Sequence, residues 1–521
     1  MKNLPLGIQT FRKIIEENRL YVDKTKDIYN LLAQGGQYYF LSRPRLFGKS
    51  LLVSTLKEIF LGNKELFKGL WIEDKIEWIN HPVIHIDFSV VEYETAELMK
   101  ESLVQTLDGI AAGHGIQLTT VSYKTRFGEL IRKLSSKGKV VILIDEYDKP
   151  IIDFVENREI AIQNRDILKS FYSTLKGLDE HLKFVFITGV SKFSKVSIFS
   201  DLNNLTDITL DETYATMLGY THRELLEYFD EEIEALLKKE EGTDGTKDEL
   251  VNDIKYWYNG YSWDGTNFVY NPFSILNLFQ KRKFANYWFE SGSPSFLVKL
   301  ARKEDIALAE LENYKAGEEV FSAFDIDKMQ VVSILFQTGY LTIKEIIPIS
   351  RTRRFYILSF PNAEVKESLL VYLLGDMSPK YEGKISVMVD DLKAYLKTGN
   401  LEKFFELMRS IFAQISYDMF VKDREGYYQT VIYLILKLTG INIDTEVETN
   451  LGRIDAVIHL EKVIYVMEFK IGTPEEALKQ IKEKKYYERY LSLSKTIMLI
   501  GIGIDTAGRN IKEYKIEKVQ F

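Results

Sequence analysis

The chain has 521 residues, enough for two to four domains at roughly 100–200 residues each, and its 45% hydrophobic and 28% charged residues describe globular domains with large cores. Lys+Arg 68 against Asp+Glu 76 leaves a net charge of −8, so no overall basic field marks a nucleic-acid partner, and such a contact would have to be a local patch. The absence of Cys excludes disulfides and thiolate metal sites and fits a reducing compartment. Met1 to Glu17 lacks the apolar core of a signal peptide, and runs such as Val140–Ile144 fall far short of the ~18 residues that span a bilayer. A cytoplasmic protein with no membrane partner is expected.

Residues 1–37 read as a lead-in, with Tyr21-Val22-Asp23-Lys24-Thr25 and an amphipathic pattern at Ile28, Leu31 and Leu32. The run Tyr38-Tyr39-Phe40-Leu41 then leads into Arg43-Pro44-Arg45-Leu46-Phe47-Gly48-Lys49-Ser50, and a helical pattern opens at Leu51. Strand, loop ending Gly-Lys-Ser, helix is the setting of a phosphate-cradling P-loop. Backbone N–H groups and the helix N-terminus present partial positive charge to an anion there. Gly48 belongs to the cradle, Lys49 would reach the β/γ-phosphates of ATP, and the Ser50 hydroxyl would ligand Mg²⁺. The motif G-x-x-x-x-G-K-[ST] wants glycine where Arg43 stands. Arg43 and Arg45 are therefore candidates for extra phosphate contacts, because guanidinium groups suit that geometry.

Three further runs, Val83–Phe88, Val140–Asp145 and Phe184–Thr188, lack alternation, as parallel strands buried on both faces do. Helical patterns near 50–61, 95–111, 125–136 and 165–177 lie between them. Strands alternating with helices predict a doubly wound α/β domain over residues 1–210, with ligand at the carboxyl ends of its strands. Asp145-Glu146 closes the second of these runs. Asp145 would help to hold Mg²⁺, and Glu146 would polarise the water that attacks the γ-phosphate. A solvated acidic turn is the bland alternative, and the Gly48-Lys49-Ser50 loop in the same α/β pattern weighs against it. Thr188-Gly189-Val190-Ser191-Lys192-Phe193 ends the last run and could sense the γ-phosphate, or be an ordinary strand-end turn.

From Asp211 to residue 320 the pattern turns helical, as a lid would, with an aromatic cluster at Trp257–Trp263 that reads as lid core. In the stretch 321–417, a helix over Met329–Gln337 and strands over Tyr340–Ile346 and Phe355–Phe360 are compatible with a winged-helix unit. Helices follow at 363–374, 384–397 and 401–416.

The tail, 418–521, restarts an α/β pattern. A helix over Glu425–Leu438 precedes strands over Ile443–Glu448, Arg453–His459 and Val463–Phe469, then a helix over Pro474–Tyr490 and a strand over Thr496–Ile502. Asp455 and Glu468 stand on two strands joined by a turn near Glu461-Lys462, so a hairpin would bring them together. Lys470, two residues beyond Glu468, projects from the same strand face. Two carboxylates and a lysine on one face can bind Mg²⁺ and orient a water for phosphodiester attack, although such a spacing also occurs in ordinary charged strands. The tail holds equal numbers of cationic and anionic residues. Nucleic-acid contact would then fall to Lys479, Lys482, Lys484, Lys485 and Arg489, a run that equally describes a solvated helix face.

Taken together, Tyr21–Thr25, Arg43–Ser50, Ile144-Asp145-Glu146-Tyr147-Asp148, Thr188–Ser194, Trp257–Trp263 and Tyr270-Asn271-Pro272-Phe273-Ser274 resemble the AAA-ATPase-like family of P-loop ATPases, whose degenerate loops are of the RPRxFGKS type. The resemblance covers about residues 4–300 and makes Arg43 a family trait. Residues 420–521 resemble the PD-(D/E)xK nuclease superfamily, a restriction-endonuclease-like α/β fold. That resemblance implies that Asp455 and Glu468 are metal ligands, that Lys470 is catalytic, and that Gln480 is an active-site neighbour. It also offers a helical glutamate as a further ligand, with Glu425 the candidate and Glu446 or Glu448 behind it. The two resemblances imply an ATPase and a metal-dependent endonuclease acting on DNA, using ATP and Mg. The alternative is a nucleotide-dependent signalling or scaffold switch with a binding module as its tail. A homo-oligomer or a protein partner stays open.

Overall fold

The computed structural model describes residues 2–192, 198–202, 204–239, 245–290, 311–321, 330–377, 385–413, 425–449 and 452–519. Contacts divide the chain into two compact units, Met1–Glu304 with Asn313–Val365, and Asp305–Glu312 with Lys366–Phe521. Among the described residues no helix is long and apolar enough to cross a membrane.

The first unit is built on a parallel sheet whose strands are β1 (Tyr38–Ser42), β2 (Val83–Asp87), β3 (Val140–Asp145), β4 (Leu182–Gly189) and β5 (Thr206–Asp207), in the order β2-β3-β4-β1-β5. Every residue of β1 and β3 is buried. Helices α1 (Lys49–Phe60), α2 (Ala96–Gly113), α3 (Tyr123–Ser135) and α4 (Arg158–Tyr172) cover the faces, which is why the strand runs are continuous rather than alternating. The expected helix near 165–177 begins earlier, at Arg158, and beyond Tyr172 tightens into a 3₁₀ segment kinked at Leu178. β4 lies between β1 and β3, with Leu41 opposite Thr188 on one side and Ile144 opposite Ile187 on the other. The carboxyl ends of the P-loop strand and the Asp145 strand therefore flank the Thr188–Lys192 segment.

Helices α5 (Lys247–Tyr258) and α6 (Pro272–Lys281) pack with Leu225, Phe229, Ile233 and Val22 into a second core. The Tyr21–Thr25 stretch ties the lead-in to that second core, since Lys24 bridges to Glu224 at 2.7 Å. Asp23 accepts from Thr25 N at 2.9 Å and from Trp71 N at 2.7 Å. In the same unit, α7 (Val331–Thr338) leads into an antiparallel hairpin, β6 (Thr342–Ser350) with β7 (Arg353–Ser359), and β7 also pairs with Tyr314–Ala316. Met329, where the helix is expected to start, lies outside the described residues.

In the second unit, α8 (Glu425–Leu438) precedes a five-stranded mixed sheet. Its strands are β8 (Asn442–Thr449), β9 (Gly452–His459), β10 (Val463–Ile471), β11 (Thr496–Asp505) and β12 (Asn510–Lys518), in sequence order across the sheet. Only β10 and β11 pair in parallel, and helix α9 (Pro474–Glu483) makes the crossover that a parallel pair requires. The expected helix to Tyr490 stops at Glu483 because Lys485 takes a left-handed φ of 51°. β12, which sequence periodicity does not flag, closes the sheet.

Candidate functional site

The loop from Arg43 to Gly48 leaves β1 and enters α1 through two left-handed residues, Leu46 (φ 64°) and Gly48 (φ 92°). Gly48 is the N-cap and offers no side-chain acceptor, so the first N–H groups of a twelve-residue helix face outward with no side-chain cap. A helix start of this kind suits an anion. Lys49 is 5% exposed, and its Nζ donates to the loop's own carbonyls, Arg43 O at 3.1 Å and Pro44 O at 3.0 Å. Burial lowers its pKa, while the charges of Asp145, Glu146 and Asp148 pull it back up. A phosphate would replace two neutral carbonyls with a charge-assisted acceptor, so the residues present fit a nucleotide triphosphate.

Asp145 is buried, its pKa raised by burial and opposed by a hydrogen bond with Ser50 and by the charge of Lys49. Glu146, whose N–H donates to Asp145 Oδ1 at 2.9 Å, has a left-handed φ of 50°, a conformation that costs a non-glycine residue about 1–3 kcal/mol. Burial raises its pKa too, with Lys49 opposing. Lys49, Ser50, Asp145 and Glu146 thus converge where the sequence expects them. Arg45 is exposed, and close enough to Lys49 to lower the lysine's pKa.

Arg43 departs from expectation. Its side chain is 1% exposed and its guanidinium donates to Ser42 O (2.9 Å), Thr209 O (2.7 Å) and Tyr214 O (3.3 Å), stacked 4.0 Å from the Trp263 ring centroid. Burial pushes its pKa down to about 9, which leaves it charged at neutral pH. The guanidinium is committed to carbonyls under the loop, so the expected phosphate contact from Arg43 does not fit this geometry. Phe47 points the same way, edge-on to Tyr261 and Trp263, which makes the aromatic cluster a floor for the loop.

Tyr147 and Asp148 hold the segment after β4, beyond what sequence reasoning assigned them. Asp148 accepts from Val190 N (3.2 Å), Ser191 N (2.7 Å) and Ser191 Oγ (2.8 Å), and Tyr147 Oη donates to Ser191 O at 2.9 Å. Their signal is the polar-aromatic quartet Asp145-Glu146-Tyr147-Asp148 closing an apolar strand. Phe193 and Ser194 lie outside the described residues.

In the second unit, Ala456 faces Met467 across the β9–β10 hairpin, and the same register sets Asp455 beside Glu468. Asp455 Oδ2 accepts from Phe469 N at 2.8 Å. Glu468 is 1% exposed, and Gln480 Nε2 donates to its Oε1. Lys470 is partly exposed on the same strand. Tyr486 joins them: burial raises its pKa, its hydroxyl hydrogen-bonds Gln480, and it feels the charges of Glu468, Asp455 and Lys470. Glycines make the cluster fit. Gly501 pairs with Glu468 and Gly503 with Lys470, and a Cβ on Gly501 would stand 2.2 Å from Pro474 O. The bare strand lets α9 lie close enough to lower Gln480 onto Glu468.

Glu425 begins α8, and Glu446 and Glu448 lie on β8, but the side chains of all three are outside the described residues. Among the described residues no group of three or more His, Asp or Glu gathers as a metal cage. The Asp455–Glu468 pair is a two-carboxylate donor set, chemistry that suits a hard divalent cation completed by further oxygen ligands. The lysines after β10 are exposed and mostly engaged with carboxylates, Lys479 with Glu483, Lys482 with Glu517 and Lys485 with Glu488.

A family described as predicted AAA-ATPase matches residues 5–199, and the PD-(D/E)XK nuclease superfamily matches residues 423–514. A relative from Azotobacter chroococcum mcd 1, described as an uncharacterized protein in the vnfD 5' region, is 39% identical over 99% of this chain and 99% of its own length. The cytoplasmic aspartate–tRNA ligase 2 of Dictyostelium discoideum is 24% identical over 43% of this chain and 38% of that protein.

Proposed function

We propose, on the premise that this chain belongs to the predicted AAA-ATPase family with a C-terminal PD-(D/E)XK nuclease superfamily domain, that it is a cytoplasmic Mg-dependent nuclease acting on DNA under the control of bound ATP. The observation that carries this reading is that Asp455, Glu468 and Lys470 share one sheet face, with Gln480 of α9 bonded to Glu468. In the first unit, Gly48, the α1 N-terminus, Lys49 and Arg45 would hold the phosphates. Ser50 and Asp145 would hold the Mg²⁺, and Glu146 would orient the water for γ-phosphate hydrolysis.

In the second unit, Asp455 and Glu468 would hold the catalytic metal, whose chemistry is to acidify a water and offset charge on the phosphodiester. Gln480 keeps the Glu468 carboxylate in one orientation, and the Lys470 ammonium would stabilise developing charge or orient the nucleophile. The buried Glu468 next to Asp455 supports a cation there, since two adjacent carboxylates repel without one.

The test is cleavage of plasmid and single-stranded DNA with Mg²⁺ or Mn²⁺, with and without ATP, by the parent, Lys470→Ala and Lys49→Ala. Lys470→Ala should lose cleavage by about a hundredfold or more while ATP binding persists. Lys49→Ala should lose ATP binding and, with it, the effect of ATP on cleavage. A parent that cuts nothing under any condition, or a Lys470→Ala protein as active as the parent, sinks the nuclease reading.

A further inference from the structure

We propose, resting on the nucleotide-site reading above, that Gln337 is a hydrogen-bond donor to the terminal phosphate of bound ATP. It would be supplied to the site by the 313–365 segment rather than by the P-loop sheet. Gln337 is 5% exposed in the last turn of α7, a helix in which Val331 to Phe336 are all buried. Its Oε1 accepts from the Lys192 N–H at 2.7 Å. That bond fixes which end of the amide is oxygen, because the flipped rotamer would set an NH₂ group against an N–H donor. Among the described residues the other end, Nε2, has no hydrogen-bond partner. Buried donors nearly always find an acceptor, and one held unpaired in native structure calls for a ligand or a role.

The place of this amide says which ligand. Lys192 ends the Thr188–Lys192 segment, at the carboxyl end of the strand lying between the P-loop strand and the Asp145 strand. Two residues past Gln337 the chain turns at Gly339 (φ +94°), so close to the P-loop that a Cβ there would lie 2.7 Å from Pro44 Cβ. Pro44 O is one of the two carbonyls that now hold the Lys49 ammonium. Trp288 Nε1 donates to Arg45 O at 3.3 Å. The Lys192 ammonium itself is paired with Asp207 at 2.9 Å. A donor with no acceptor among the described residues thus sits in a helix that is bonded to Lys192 and whose C-terminal turn packs against Pro44. An anion arriving beside Lys49 would supply the missing acceptor. The third phosphate, which ADP lacks, would be the group that meets this donor. α7 runs directly into the β6–β7 hairpin, so the same contact would report ATP to that hairpin.

Isothermal titration of the full chain with ADP and with a non-hydrolysable ATP analogue, both with Mg²⁺, tests the assignment in the parent, Gln337→Glu and Gln337→Leu. Gln337→Glu keeps the acceptor for Lys192 N–H and turns a carboxylate toward the phosphate, while Gln337→Leu removes the donor without adding charge. Both should bind the ATP analogue about tenfold or more weakly, with ADP affinity changed by less than about threefold. Equal losses for the two nucleotides, or no loss in either variant, would overturn the assignment while leaving the P-loop reading intact. A parent that binds neither nucleotide overturns both. Melting without nucleotide identifies a variant that does not fold, and the comparison then rests on the other.

Discussion

Replacing Arg43 with glycine would supply the residue that a G-x-x-x-x-G-K-[ST] loop asks for, and the structure requires damage rather than repair. The Arg43 guanidinium makes bonds of 2.9, 2.7 and 3.3 Å to the carbonyls of Ser42, Thr209 and Tyr214, and it stacks on Trp263. Charged hydrogen bonds contribute about 1.5–3 kcal/mol each and a desolvated cation–π contact about 2 kcal/mol. Keeping the guanidinium out of water costs several kcal/mol in return. Glycine removes both sides of that balance, but it leaves the Thr209 carbonyl without its partner at about 1–3 kcal/mol, strips one of the two donors from the Tyr214 carbonyl, which keeps the Met217 N–H at 3.2 Å, and opens a void beneath Trp263. The expected net loss is about 3–5 kcal/mol, which at about 2 °C per kcal/mol for a unit of this size lowers its melting temperature by roughly 6–10 °C. ATP affinity should fall as well, because the segment at Thr209–Tyr214 and the floor under Phe47 lose their clamp. Differential scanning calorimetry and ATP titration of the parent, Arg43→Gly and Arg43→Lys check this, with lysine recovering less than half of the loss because it has neither the fork nor the stacking plane. An Arg43→Gly protein that melts within about 2 °C of the parent and binds ATP as tightly or more tightly would refute the reasoning.

Gly501→Ala places a Cβ 2.2 Å from Pro474 O, a backbone atom that can yield only by moving α9. The cost should be about 1–3 kcal/mol in the second unit. Cleavage should fall further than stability does, since Gln480 leaves Glu468, and a fully active Gly501→Ala protein would contradict this account. Glu312 offers a pH test within the same unit. Burial pulls its pKa up, but Lys366 and Lys437, the latter at 2.6 Å, outweigh burial and hold it below the usual 4.5. A folded-state pKa below the unfolded one means stability that is present above about pH 4.5 and lost as pH falls through the folded value. Glu312→Gln should therefore melt well below the parent at pH 7, and the gap should narrow below about pH 4.5. A gap that does not vary with pH would argue against the ion pairs as its source.

Much of the candidate sites could be read directly. Lys49, Ser50, Asp145 and Glu146 come together as expected, because each ends or begins an element whose period is local and whose carboxyl end is the ligand side of a doubly wound sheet. Asp455 and Glu468 meet because an antiparallel hairpin with a short turn leaves few registers. Arg43 was legible as an oddity, but its direction was not: guanidinium suits phosphate and carbonyl alike, and only the position of Thr209, Tyr214 and Trp263 chose between them. Gln337 carried one faint signal, a long polar side chain in the last turn of a largely apolar helix.

The amino-acid sequence by itself determined where most of the strands and helices lie, the Gly48-Lys49-Ser50 loop between strand and helix, the acidic strand end and the carboxylate–lysine hairpin, since hydrophobic period and turn residues act over a few positions. Tertiary structure alone decided that β4 lies between β1 and β3, that Arg43 turns inward under the loop, that bare Gly501 seats Gln480 on Glu468, and that Gln337 reaches Lys192 from 145 residues away. Those contacts join residues distant in the chain. Their energy depends on which surfaces meet after collapse, and no spacing along the sequence records that choice.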